Sequence, residues 1–157
     1  MCSNGVGELS GSMNQLSVTA QPSCEDSGGV KVTCFSQVAD DVNFHFQIIR
    51  LQKQIYVWIG CNSAKFGHLY AAASTRQVMY TPCTSDTISV TSLIGGTSDN
   101  TGSGIARRLV RKTGLNIVLA CNLPKNNPML EVNAEIILIQ KLISLGYTNP
   151  KPSGQSS

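Results

Sequence analysis

Charge, histidine and long apolar runs are all scarce in this 157-residue chain, and each scarcity removes a class of function. Charged residues make up 13% of the chain, about half the usual share. The net charge is only +3, so no bulk field calls for nucleic acid. No apolar run approaches the ~20 residues that cross a bilayer; IILI at 136–139 is representative. The opening stretch MCSNGVGELSGSMNQ has no apolar h-region, which argues against a secretory leader. No Asn-x-Ser/Thr acceptor occurs. The six cysteines, Cys2, Cys24, Cys34, Cys61, Cys83 and Cys121, form no C-x-x-C pair. Their dispersal suits free thiols, and so the cytoplasm or the nucleus, better than a disulfide framework.

The chemistry of common active sites is missing as well. There are two histidines, His45 and His68. Cys61 precedes His68 by more than the short gap that separates paired zinc ligands, so no metal is expected. No G-x-S-x-G elbow is present. The segment GGTSDNTGSGIARR at 95–108 enters a helix and raises the question of a phosphate site. A Walker A loop would need a second glycine where Asn100 or Thr101 stands, and then a lysine that does not come. A dinucleotide loop could begin at Gly102 and Gly104, but Arg107 occupies the place of the third small residue. Asp99 or Ser103, as an acceptor for backbone N–H groups at the helix entry, is the simpler reading. No catalytic residue, cofactor or metal follows, and the expectation is a protein that is not an enzyme.

A hydrophobic share of 41% supports a folded domain, and a chain of this length hides roughly two-thirds of its unfolded surface. Residues 1–29 are rich in Ser, Gly, Asn and Gln and carry Glu8, Glu25 and Asp26 without a cation. They read as a disordered tail, as does 148–157. Between them, 30–147 reads as one domain. VKVTCFSQV (30–38), NFHFQIIRL (43–51), IYVWIG (55–60), HLYAAAS (68–74), ISVTSL (88–93) and LNIVLAC (115–121) read as strands. A tight Gln52–Lys53 turn joins the second and third. A helix over 101–113 stops at Gly114, and a second starts with Asn127 as cap and Pro128 in the first turn and ends at Gly146. The pattern predicts an α+β fold: an antiparallel sheet of about six strands with two helices packed on one face.

Two helix faces are candidates for contact. At about 100° per residue, Ile105, Ala106, Leu109 and Val110 share one arc of the first helix. Arg107, Arg108, Arg111 and Lys112 share the other. Such a face is either solvated or docks on an acidic protein surface; RNA binding by this helix is the alternative reading. The second helix is apolar twice over. Leu130, Ala134, Ile137, Leu138 and Leu145 form one arc; Val132, Ile136, Ile139 and Ile143 form another. One sheet covers only one of them, so the second arc is either buried within the chain or a candidate dimer contact.

The segment SLIGGTSDNTGSGIARRLVRKTGLNIVLACNL resembles the proteasome assembly chaperone 4 family, with its G-x-TSD-x-T-x-[ST]-G loop, A-x-RL-x-RKT helix and following strand. FHFQIIRLQKQIYVWIG upstream is similar to that family's His-Phe-His, Arg-Leu and Trp-[IV]-Gly pattern. The resemblance spans about 40–147; the long N-terminal tail, an inserted segment at 74–87 and the C-terminal tail lie outside it. It implies a non-catalytic chaperone that pairs with proteasome assembly chaperone 3. The pair would bind proteasome α-subunits, promote α-ring assembly and leave before the 20S particle matures, with no role for nucleic acid or membrane.

Overall fold

The computed structural model describes residues 29–63, 67–75, 87–96 and 100–149. Six strands and two helices follow in the order β1 (Lys31–Ala39), β2 (Val42–Arg50), β3 (Gln54–Cys61), β4 (His68–Thr75), β5 (Thr87–Ile94), α1 (Thr101–Thr113), β6 (Asn116–Asn122) and α2 (Pro128–Ser144). The six-strand α+β reading holds. The tail residues 1–28 and 150–157, and most of the segment 74–87, lie outside the described residues.

The strands form one sheet in the order β1-β2-β3-β6-β4-β5. Every neighbouring pair is antiparallel except β3–β6, which is parallel. The sheet is therefore mixed rather than wholly antiparallel. The cause is the composition of β6, which is apolar on both faces: Ile117, Leu119 and Cys121 on one, Val118 and Ala120 on the other. A strand with no polar side belongs in the middle of a sheet, and β6 enters between β3 and β4. The more polar β1 and β5 take the edges.

The β1–β2 hairpin turns through Asp40 and Asp41, both at positive φ (48° and 61°), the geometry a two-residue primed turn requires. The β2–β3 hairpin closes with the Leu51 N–H donating to the Gln54 carbonyl at 2.9 Å, where the Gln52–Lys53 turn is expected.

Alternation sends Phe44, Phe46 and Ile48 (β2), Ile55, Val57 and Ile59 (β3), Tyr70 and Ala72 (β4) and Ile117 and Leu119 (β6) to one face. There they meet Ile105, Leu109 and Val110 of α1 and Leu130, Ala134, Leu138 and Leu142 of α2 in one core. Phe35 stacks on Phe46 with ring centroids 4.7 Å apart, and the Lys141 ammonium lies 5.1 Å over the Phe35 ring. α1 covers β4, β6 and β5. α2 lies towards β1 and β2, to which it is tied by Lys141 and by Asn133, whose amide donates to the Asp40 carboxylate at 2.6 Å. Both described helices therefore share one face of the sheet, and among the described residues no helix lies on the other.

Candidate interaction surfaces

The glycine segment does a packing job. Gly102 is buried in the first turn of α1. A Cβ there would fall 2.3 Å from Tyr70 Cε2 and 3.1 Å from Cys121 Cβ, so the missing side chain is what lets α1 settle on β4 and β6. At Gly104 a Cβ would meet the Arg108 guanidinium at 3.3 Å, so this glycine leaves Arg108 room to fold across the helix surface. The N-cap is Asn100 at φ −97°, ψ 7°, without a side-chain cap bond. Ser103 does not act as the expected acceptor: its Oγ donates to the Asn100 carbonyl at 2.9 Å, because Ser103 already lies inside the first turn. Asp99 lies outside the described residues. The helix ends as expected, with Gly114 left-handed (φ 68°) and its N–H donating to the Val110 carbonyl at 2.8 Å.

Arg107, Arg108, Arg111 and Lys112 are all exposed. Their surroundings differ. Arg108 reaches α2 and holds Glu135 in a two-pronged pair, Nε to Oε1 at 2.5 Å and Nη2 to Oε2 at 2.6 Å. That hydrogen bond raises the Arg108 pKa above its ordinary value; partial burial opposes the shift, and the Glu135 and Glu131 charges add to it. With Arg108 49% and Glu135 13% exposed, solvent screens the pair and it contributes about 0–1 kcal/mol. Its two-pronged geometry marks where the flanks of the two helices meet.

α2 starts as the sequence predicts: Asn127 Oδ1 accepts from the Leu130 N–H at 3.3 Å, with Pro128 in the first turn. It ends at Gly146, left-handed at φ 74°. The Tyr147 N–H returns to the Leu142 carbonyl at 3.0 Å. Of its two apolar arcs, Leu130, Ala134, Ile137 and Leu138 are buried, together with Leu142. The other faces solvent: Val132 is 48%, Ile136 49% and Ile143 57% exposed, and Met129 extends the stripe at 61%. Ile139 differs from its arc-mates, being partly buried against the core.

The sheet face without a described helix is a surface that alternation within single strands does not single out. The register aligns Ile49, Tyr56, Val118 and Ala71 in one row across β2, β3, β6 and β4, and Gln47, Trp58, Ala120 and Leu69 in the next. Gln47 aside, these form an apolar band, mostly half-buried. The Trp58 ring reaches over Gly60, where a Cβ would sit 2.5 Å from it; in the Trp-Ile-Gly segment the glycine thus makes room for the ring, while Ile59 between them is buried in the core. Burial pushes the Tyr56 hydroxyl pKa up. Towards β1 the face turns polar: Ser36 Oγ is 2.7 Å from His45 Nδ1, and the Gln47 amide donates to Cys34 Sγ at 3.6 Å.

His68 pairs in register with Cys121. Among the described residues, no group of three or more His, Cys, Asp or Glu is placed to hold a metal. None of the described helices is long and apolar enough to cross a membrane.

Comparison with known proteins yields three kinds of match. The family model described as proteasome assembly chaperone 4 matches residues 43–123. Proteasome assembly chaperone 4 of Homo sapiens is 35% identical over 97 residues, covering 61% of this chain and 72% of the relative. Its Mus musculus counterpart is 36% identical over 79 residues, covering 50% of this chain and 58% of the relative. A chain in the crystal structure of a chaperone complex for yeast 20S proteasome assembly aligns with a TM-score of 0.48 at 14% identity, over 74% of this chain and 94% of that one.

Proposed function

The chain belongs to the proteasome assembly chaperone 4 family, and from that premise we propose that it is a non-catalytic half of a heterodimer. Its partner is a proteasome assembly chaperone 3 subunit. The pair binds proteasome α-subunits, promotes α-ring assembly in the cytoplasm or nucleus and is absent from the mature 20S particle. The observation that carries this reading is the family match through β2–β6 and α1.

The geometry supports it. A chaperone that grips one partner while presenting another needs two separated surfaces. Among the described residues, the sheet has a helix layer on one side and no helix on the other. The sheet band around Tyr56 and Trp58 is the surface offered for pairing. The basic face Arg107, Arg108, Arg111 and Lys112, and the stripe Val132, Ile136, Ile139 and Ile143, are the other contact surfaces. Such a protein acts by favouring one neighbour over others, a difference of binding free energies. RNA binding through α1 is the weaker reading, because Glu135 takes up one of the four cations.

Purification of the tagged chain from cells, with mass spectrometry of what is retained, tests the proposal. Recovery with a small chaperone subunit and α-subunits is expected. Recovery with neither refutes it.

A further inference from the structure

The sequence divides the two helix faces between two partners: the basic face of α1 for an α-subunit, the apolar stripe of α2 for a dimer contact. We propose instead that they are halves of one docking surface that takes one partner, the α-subunit, and that this partner presents an apolar ridge flanked on one side by carboxylates. The inference rests on the α-subunit reading above and assigns its site.

Three observations carry it. First, both helices join the same core on the same side of the sheet. At about 100° per residue, Met129, Val132, Ile136 and Ile143 stand opposite the buried Leu130, Ala134, Ile137 and Leu138. Arg107 and Arg111 likewise stand away from the buried Ile105, Ala106 and Leu109. The two crests therefore point away from the sheet in the same direction, at the ~8–10 Å separation of packed helices.

Second, the Arg108–Glu135 pair bridges the flanks between them. The apolar crest, about 21 Å from Met129 to Ile143 at ~1.5 Å per residue, lies beside the basic crest, both helices being seated in one core. Glu135 is spent within this pair. No acid stands in 100–114 to offset Arg107, Arg111 and Lys112.

Third, the composition selects the partner. An exposed aliphatic stripe of this kind marks an interaction site, and nucleic acid offers no ridge for aliphatic side chains to bury. A protein surface satisfies both halves, its apolar ridge on α2 and its carboxylates on α1.

The test uses the full-length chain co-expressed with its chaperone partner, with each α-subunit immobilised in turn. Three variants are compared with wild type: Ile136→Asp, Ile136→Ser as a milder change, and Arg107→Glu/Arg111→Glu. Each is checked by its melting curve. The inference expects the apolar and the charge variants to lose retention on the same α-subunit by tenfold or more. Recovery of the chaperone partner should stay at wild-type level, and the double charge variant should lose the salt dependence of wild-type binding.

Ile136 variants that split the chaperone pair, while the arginine variants alone lose the α-subunit, overturn the inference and return the stripe to dimerisation. So does a wild-type homodimer that Ile136→Ser dissociates without changing α-subunit retention. Binding to single-stranded RNA that only the arginine variants abolish, with α-subunit retention intact, assigns the basic crest elsewhere and overturns it as well. Wild-type chain retained by no α-subunit sinks the functional proposal itself.

Discussion

Gly102 shows how one missing side chain sets the position of a helix. Replacing it with alanine gains up to ~1 kcal/mol of helix propensity, but the new Cβ meets the Tyr70 ring at 2.3 Å. Overpacking of this kind costs about 1–3 kcal/mol, so the clash wins. Gly102→Ala is expected to cost a net ~1–2 kcal/mol of stability, read as a lower urea midpoint. A midpoint at or above wild type would show that α1 can lift without loss. The thiols make a second residue-scale prediction. Cys34 is exposed, whereas Cys61 and Cys121 are buried. Peptide mapping after alkylation of the native protein should find Cys34 modified quickly and Cys61 and Cys121 only on unfolding. Burial raises the Cys61 pKa above its ordinary 9.0, so its thiol stays protonated in the fold at a pH where the unfolded chain ionises. Its contribution to stability is present below pH 9.0 and falls as the pH rises past it. Cys61→Ala, compared with wild type by urea unfolding at neutral and alkaline pH, should show a smaller alkaline loss. An equal loss assigns the effect to other groups, Tyr56 among them.

At the scale of elements, the two helices begin differently. Asn127 Oδ1 caps α2, and Asn127→Ala is expected to cost about 1 kcal/mol. Asn100 makes no side-chain cap bond at α1, so Asn100→Ala should stay within about 0.5 kcal/mol. Paired denaturation curves decide it, and equal losses would contradict the difference in cap geometry. Local chemistry made much of this legible. Asn127-Pro128, Gly114 and Gly146 act locally, and each sits where short-range rules place it. The strands were legible by alternation to within about two residues, the usual uncertainty of element ends. The Asp40–Asp41 turn was not, since it lacks the glycine or asparagine that usually marks a primed turn. The Ser103 role was missed for a related reason: a hydroxyl next to a helix start can accept or donate, and only the path of the first turn decides which.

At the scale of the whole molecule, the described helices cover one face of the sheet and not the other, and pairing through that second face is directly testable. Tyr56→Lys keeps an aliphatic stem over the band while bringing a charge to its centre. It is expected to reduce recovery of the chaperone partner at least tenfold, with the domain still folding cooperatively in a thermal melt. Full recovery would move pairing off this face. The helix faces were legible at this scale only in part. The sequence separated Arg107, Arg108, Arg111 and Lys112 from the apolar side of α1, and found two apolar arcs on α2. It did not show that Arg108 spends itself on Glu135, or that Ile139 is turned partly into the core while Ile136 is not. Nor did it show that residues from four strands line up as one outer band, because a face shared by strands depends on their order. By itself the sequence determined the elements, the Asn127 cap and the glycine helix ends, the α+β class and the family resemblance, since these rest on residues close together in the chain. Only the tertiary structure decided that β6 lies between β3 and β4, that Gly102 meets Tyr70, and that a basic and an apolar crest stand side by side. Those are contacts between residues far apart in the chain, fixed by packing rather than by local pattern.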